Sequence, residues 1–261
     1  MISKIKIKLI KSLSQKKYRI RENLFVAEGN KLTKEILESG WKVRLLVCTE
    51  EYSESNDLDF RGAQEVLTVT DEELRKCSFL KNPQQALALC EIPENDISLH
   101  DINKGISLCL DGIQDPGNLG TILRIADWFG IGNIYASHST ADIFNPKVIQ
   151  SSMGSFLRVR FYYTDLDEIV SAANNQEVPT YGTYLAGRNI YLEKFPDCGL
   201  VVIGNEGQGI SEQLSPMIRN KIHIPSIHKK SGEGAESLNA AVATAIVCSE
   251  FMRGKFRTHS K

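Results

Sequence analysis

The sequence predicts an α/β architecture in two parts, on two observations. Short apolar strand-like runs alternate with helical stretches over most of the chain, and such alternation argues for a parallel sheet covered on both faces. Three segments then set glycines and polar residues where a strand ends or a helix begins: Leu110 to Tyr135 (LDGIQDPGNLGTILRIADWFGIGNIY), Val201 to Ser211 (VVIGNEGQGIS) and Glu236 to Val247 (ESLNAAVATAIV). That is where an α/β domain presents its ligand-binding edge, so the three together point to an enzyme.

The first 95 residues read as a small α/β module. GNKLTKEILESG (Gly29 to Gly40) spaces Leu32, Ile36 and Leu37 on one helical face and stops at a glycine. VRLLVC (Val43 to Cys48), EVLTVT (Glu65 to Thr70) and ALALC (Ala86 to Cys90) are candidate strands separated by helical or acidic stretches. Polar residues around Pro93 and up to Gly105 have the composition of a linker, drawn at residues 96–105. Over residues 106–261, ISLCLD (Ile106 to Asp111), NIYAS (Asn133 to Ser137), TYGTYL (Thr180 to Leu185), LVVIG (Leu200 to Gly204) and KIHIP (Lys221 to Pro225) alternate with helices, with no internal repeat.

Hydrophobic residues at 42% and charged ones at 24% allow real cores, and no apolar run reaches the roughly 18 residues of a membrane span. The basic N-terminus lacks the h-region of a secretory signal, so a cytoplasmic location without a membrane partner is expected. Cys48, Cys77, Cys90, Cys109, Cys198 and Cys248 lie in or beside apolar segments with no CxxC pair and no zinc-type spacing, so buried thiols and no metal are expected.

The formal net charge is only -1, but it is unevenly spread. Residues 1–21 hold eight cations (Lys4, Lys6, Lys8, Lys11, Lys16, Lys17, Arg19 and Arg21) and no acid, while residues 50–73 hold nine acids against Arg61 alone. The basic cluster suits a polyanion, because each phosphate contact releases counterions; a solvated surface is the plainer alternative. His228, Lys229, Lys230, Arg253, Lys255, Arg257 and Lys261 add to the basic set.

Within the first motif, Asp111 closes a buried strand, DPGN makes a turn, and Asn118 is expected to cap a helix that starts at Leu119. At about 100° per residue, Leu119, Ile122, Leu123, Ala126 and Phe129 form the stripe expected against the sheet. Thr121, Ile125 and Trp128 make a second, partly apolar face near Arg124, which suits a subunit interface bordering a polar pocket. GNEGQG departs from the G-x-G-x-x-G dinucleotide spacing. Gly204, Gly207 and Gly209 permit close backbone approach to a ligand or another loop, and equally a structural turn with an exposed Glu206. Ser237 is expected to cap a helix of small residues, Ala240, Ala241, Ala243, Thr244 and Ala245, which also suits tight helix packing.

DPGNLGTILR, IGNEGQGIS, and IP followed by ESLNAAVA resemble the three ordered motifs of the SPOUT class of RNA methyltransferases, in its TrmH/SpoU branch. FNPKVIQSSMGSFLRV (Phe144 to Val159) resembles the segment between the first two motifs, and KKYRIRENLFVAEGNKL (Lys16 to Leu32) resembles the start of an L30e-like substrate-binding domain. The resemblance implies a C-terminal parallel-sheet SPOUT domain with a trefoil knot, residues 106–261, preceded by an L30e-like α/β domain, residues 1–95. It implies S-adenosyl-L-methionine as cofactor and transfer of its methyl group to a ribose 2'-hydroxyl of structured RNA, 23S rRNA before transfer RNA. It further implies a homodimer through the Asn118 to Phe129 helix and the C-terminal helix. A non-catalytic RNA-binding or ribosome-assembly factor with the same fold is the rival reading.

By motif position, the resemblance carries over Asn118, Arg124, Glu206, Ser237 and Asn239 as the polar active-site set, and Thr183, Leu185, Gly204, Ile224 and Leu238 as the cofactor-binding set. The eight N-terminal cations are the expected RNA contacts. Arginine keeps its proton near neutral pH, so a charged Arg124 that binds a phosphate and stabilises the developing alkoxide is preferred to Arg124 as a base. Asn118 and Asn239 would orient Arg124 and the turn, and Glu206 would hold loops or pair with a cation, a purely structural role being the alternative. SIHKKSGEGAE, between Pro225 and Ser237, is longer than the family's connection and brings Lys229 and Lys230 as further candidate RNA contacts, a surface insertion being the equal alternative.

Overall fold

The computed structural model describes residues 1–55, 60–94, 97, 102–227 and 236–258. His228, Lys229, Lys230 and Lys261, the side chains of Lys255 and Arg257, and part of the expected linker lie outside the described residues. The chain forms two compact units, Met1–Glu94 with Asp142–Leu157, and Asn95–Ala141 with Arg158–Lys261.

In the first unit, α1 (Lys4–Ser12) and α2 (Lys16–Glu22) lead into β1 (Leu24–Glu28), α3 (Asn30–Glu38), β2 (Val43–Cys48), α4 (Glu50–Ser55), β3 (Val66–Thr68), α5 (Asp71–Cys77) and β4 (Ala86–Glu91). The sheet order is β1-β4-β2-β3, with β4 antiparallel to both neighbours and β2 parallel to β3. Thr70 and Glu73 start α5 with a reciprocal capping box, each side chain bonded to the other's backbone N–H. Ile10, Leu13, Val26, Leu45, Val47, Leu74 and Leu89 pack into one core of this unit.

Asp142–Leu157, which the sequence assigns to the second domain, clusters with the first unit instead. It carries helix α7 (Pro146–Ser152), flanked by Phe144 and Phe156. Those two rings close on Phe25 at 4.7 and 5.9 Å between centroids, and Trp41 meets Phe156 edge-on at 5.5 Å. Aromatic burial of this size outweighs sequence continuity in deciding where the segment packs.

Arg19 corrects a second expectation. It is only 2% exposed, and its guanidinium donates to the Asp142 carboxylate through Nε (3.0 Å) and Nη2 and to the Leu13 carbonyl through Nη1 (2.7 Å). A buried cation needs such partners, and these leave Arg19 inside the unit rather than at an RNA surface. Lys6 pairs with Glu65, and Lys11 donates to the Ser78 carbonyl above the Phe79 ring. Lys4, Lys8, Lys16, Lys17 and Arg21 are exposed, with Lys17 and Arg21 both against the Tyr18 ring at 4.9 and 4.8 Å.

The second unit holds β5 (Ile106–Asp111), α6 (Pro116–Trp128), β6 (Asn133–Ala136), β7 (Arg160–Tyr163), α8 (Leu166–Asn175), β8 (Thr180–Asn189), β9 (Gly199–Gly204), β10 (Asn220–His223) and α9 (Ala240–Thr258). All six strands are parallel, in the order β10-β8-β9-β5-β6-β7. The central strands β5 and β9 are apolar along nearly their whole length because both their faces are covered. Cys109, Leu200 and Val202 meet Leu166, Ile169 and Val170 of α8 in one core. On α6, Leu119, Ile122, Leu123 and Ala126 are buried as the periodicity predicts, whereas Trp128 is 83% exposed.

Cys48, Cys77, Cys90, Cys109 and Cys248 are buried free thiols and Cys198 is half-buried. Burial pushes the Cys48 and Cys77 thiols up and that of Cys248 up to about 12, which keeps them protonated and unreactive. Among the described residues no helix is long and apolar enough to cross a membrane.

Candidate active site

The site lies where the parallel strands end. Asp111 and Gly204 finish β5 and β9 side by side in register, and a parallel sheet presents ligands at its carboxyl edge. After Gly204 the chain turns on itself: Asn205 and Gly209 exchange backbone hydrogen bonds at 3.0 and 2.8 Å, and the Asn205 side-chain oxygen accepts from the Gly207 and Gln208 amides. A Cβ on Gly204 would lie 2.3 Å from the Gly209 carbonyl carbon, so only glycine permits this tight loop.

Two side chains outside the predicted set sew this loop to the first motif. Asn205 Nδ2 donates to the Gly112 carbonyl (2.8 Å), and Asp111 accepts from the Ser211 amide (2.8 Å). Their signal in the sequence was only position, a polar residue at the end of one apolar strand and directly after the other.

The helix caps differ from the sequence reading by three and two residues. Asp115, not Asn118, caps α6 by accepting from the Asn118 amide at 2.8 Å, with Pro116 as the first helical residue. Asn239, not Ser237, caps α9, its side-chain oxygen accepting from the Ala241 and Val242 amides at 3.0 and 3.3 Å. The earlier cap frees the Asn118 side chain for longer reach. Its Nδ2 donates to Glu206, and its Oδ1 accepts from Asn239 Nδ2 at 2.8 Å. Asn118, Glu206 and Asn239 are thus brought together, one from each motif.

Arg124 is not joined to them. It stands six residues along α6 from Asn118, roughly 9 Å in rise and about 120° around the axis, and is exposed. Asn118 and Asn239 spend their amides on each other, on Glu206 and on the α9 amides, so they do not orient Arg124 as the sequence reading expected. Glu206 holds the loops through Asn118. Ser237 is exposed and stands apart from the cap.

Of the residues expected around the cofactor, Thr183 and Leu185 lie within β8, Gly204 ends β9, Ile224 follows β10 and Leu238 precedes α9. Thr183 donates to the Val202 carbonyl at 3.3 Å, and Ile224 is half-buried. Leu185 and Leu238 are 62% and 45% exposed, large apolar side chains that a ligand would cover. Exposed apolar side chains of this kind fit a cofactor with a flat ring to cover, such as the adenosine of S-adenosylmethionine.

Residues 105–249 match the model of the SpoU rRNA methylase family, and residues 4–88 match the MRM3-like substrate binding domain. The chain is 32% identical to the 23S rRNA (guanosine(2553)-2'-O)-methyltransferase RlmP of Bacillus subtilis (strain 168), over 93% of this chain and 94% of that protein. Among solved structures, a TrmH-family protein of Porphyromonas gingivalis superposes with a TM-score of 0.86 at 37% identity, covering 97% of this chain and 99% of that one. An AdoMet-bound rRNA methyltransferase of Sinorhizobium meliloti superposes with a TM-score of 0.83 at 29% identity, covering 97% and 96%. Two matched domains in order, with the three motifs meeting at one sheet edge, lead to one conclusion: the chain belongs to the SpoU rRNA methylase family.

Proposed function

We propose that this protein transfers a methyl group from S-adenosylmethionine to a ribose 2'-hydroxyl of structured RNA, with 23S ribosomal RNA as substrate. The observation that carries the reading is the network of Asn118, Glu206 and Asn239, which ties the three motif loops together at the carboxyl edge of the parallel sheet. The 23S rRNA 2'-O activity in the name of RlmP and the AdoMet in the Sinorhizobium structure support substrate and cofactor. The knotted topology implied for this domain belongs to the same reading.

When bound, S-adenosylmethionine supplies a methyl group on a sulfonium, an electrophile with a good leaving group. The chain's own work is to align the hydroxyl and to stabilise the charge that develops on it. Thr183, Leu185, Gly204, Ile224 and Leu238 would hold the cofactor, largely through backbone groups and apolar cover. The exposed Arg124 guanidinium would grip a phosphate of the RNA and hydrogen-bond the 2'-oxygen as it loses its proton to solvent. Asn118, Glu206 and Asn239 would keep the loops in position rather than touch the hydroxyl. The exposed cations of α1 and α2 would hold RNA through its phosphates.

The same reading carries a homodimer, supported by the exposed Trp128 of α6 and Val242 of α9, two helices that pack together and leave these apolar groups in water. It also carries a cytoplasmic location, with which the buried free thiols agree. The test is transfer of tritiated methyl groups by the full-length protein to 23S rRNA and, separately, to transfer RNA, followed by mapping of ribose methylation. Label at one ribose of 23S rRNA is expected. Label in neither RNA overturns the activity, and label in transfer RNA alone overturns the substrate.

A further inference from the structure

The first unit contains a cavity of about 70 Å³ that the reaction described above does not use, bordered by Val26, Glu28, Phe79, Ile149, Lys147 and Gln150. Its chemistry is unusual for a packing defect. Glu28, the last residue of β1, puts a half-buried carboxylate at the wall. One oxygen accepts from the Ser78 hydroxyl and the other from the Phe79 amide at 2.7 Å. A carboxylate has about four lone-pair sites, so each oxygen keeps capacity for one more donor. Two open acceptor sites on one group suit a ligand that presents two N–H donors.

Three classes of ligand present such donors or seek such a wall, and the surroundings choose among them. A metal ion would find a single carboxylate with Lys147 at the rim, and among the described residues no cluster of metal-binding side chains exists. An arginine from another protein would meet the ammonium of Lys147, and that of Lys11, which lies over the Phe79 ring at 5.2 Å. A free anion would meet Glu28. An unpaired guanine offers N1–H and N2–H side by side, a flat face for an aromatic neighbour, and a phosphate for the lysines.

We propose that this cavity receives the Watson–Crick edge of an unpaired guanine in the RNA substrate, with the Glu28 carboxylate accepting from N1–H and N2–H, Phe79 bordering the base, and Lys147 facing its phosphate. The proposal rests on the RNA-methylating reading for its ligand. At about 70 Å³ the space exceeds what one water needs. Burial raises the Glu28 pKa, a cost the unit bears for an internal acceptor. Gln150 adds an amide at the rim for the neighbouring carbonyl oxygen of the base.

The experiment is fluorescence anisotropy on the full-length protein without cofactor, using labelled single-stranded pentamers UUGUU, UUUUU, UUCUU, UUIUU (inosine, without N2–H) and UU(m1G)UU (N1–H blocked). UUGUU is expected to bind about tenfold more tightly than UUUUU, the size of one good bidentate base contact. Inosine should fall between them, and 1-methylguanosine should bind no better than uridine. In Glu28→Gln the guanine preference should collapse to near one, with affinity for UUUUU unchanged. Equal affinities for UUGUU and UUUUU in the wild type, cytidine preferred to guanosine, or a preference that survives in Glu28→Gln would each overturn the proposal. The altered bases test it in the unmutated protein, so a poorly folded variant cannot mask the answer. Because no methyl transfer is read, a failed transfer assay with an intact guanine preference would count against the enzyme reading alone.

Discussion

Asn239, at the start of the last helix, donates its side-chain amide to Asn118, 121 residues earlier at the start of α6, across 2.8 Å. Asn118 passes its own amide to Glu206, so one asparagine joins three loops. In Asn118→Ala, Glu206 and Asn239 lose their common partner. Methyl transfer is expected to fall about 10- to 100-fold through misplaced loops. Asn118→Asp should be worse, since it sets a carboxylate against Glu206. Steady-state kinetics at saturating RNA, with equal turnover in wild type and both variants, would sink the role.

Arg124 stands outside that network, so its loss should leave the loops intact. Arg124→Ala is expected to keep S-adenosylmethionine affinity within twofold by calorimetry while transfer drops by roughly 10²- to 10³-fold, the range for removing a donor to a developing oxyanion. Arg124→Lys should recover little, because one ammonium cannot bridge phosphate and oxygen as a fork does. Near-normal transfer by Arg124→Ala would refute the assignment.

Trp128 is 83% exposed on α6. Light scattering of the wild type is expected to report a dimer at micromolar concentration, and Trp128→Glu a monomer with reduced activity. A wild-type monomer under those conditions would remove the interface.

The N-terminal cations divide by their partners. Replacing Lys4, Lys8, Lys16 and Lys17 by Gln should weaken RNA binding and flatten the slope of log affinity against log salt by about 0.7 to 0.9 for each lost phosphate contact. Arg19→Ala should instead destabilise the fold by roughly 3 to 5 kcal/mol, because it leaves the Asp142 carboxylate unpaired. An unchanged salt slope in the quadruple variant, or an unchanged melting temperature in Arg19→Ala, would reverse the division.

Glu28 ties stability to pH. Burial comes first among the causes that raise its pKa, with Ser78, Phe79 and Lys11 opposing in part. A carboxyl with a raised folded-state pKa stabilises the fold fully below its unfolded pKa and loses that contribution as pH rises through the folded value. Glu28→Gln should therefore melt higher than the wild type at pH 8, by about 1 to 4 °C. The gap should close below pH 4.5, where wild-type Glu28 is protonated in both states. A gap independent of pH would mean that Glu28 is not the group responsible.

Much of this molecule was readable from local pattern. Apolar strands β5 and β9 and the buried stripe of α6 follow from periodicity, whereas Asn118, Arg124, Glu206 and Asn239 were marked as a set only by the resemblance of the three motifs to a known family. Two short strands, β1 (LFVAE) and β7 (RFYY), were not among the strand runs read from the sequence. The caps moved to Asp115 and Asn239 because several capping residues stand in a row at each helix start, and only the final backbone path chooses among them.

Tertiary contact decided the rest. Arg19 looks like its basic neighbours until Asp142, 123 residues away, takes it inside. Nothing near Glu28 in the chain marks it, for its cavity is made by Phe79 and by a helix more than a hundred residues downstream. The placement of Asp142–Leu157 in the first unit depends on which rings meet Phe25. Periodicity reports the face that a residue turns inward, because neighbours along one element share its geometry. The partner waiting on that face comes from packing between distant segments, and no local pattern encodes it.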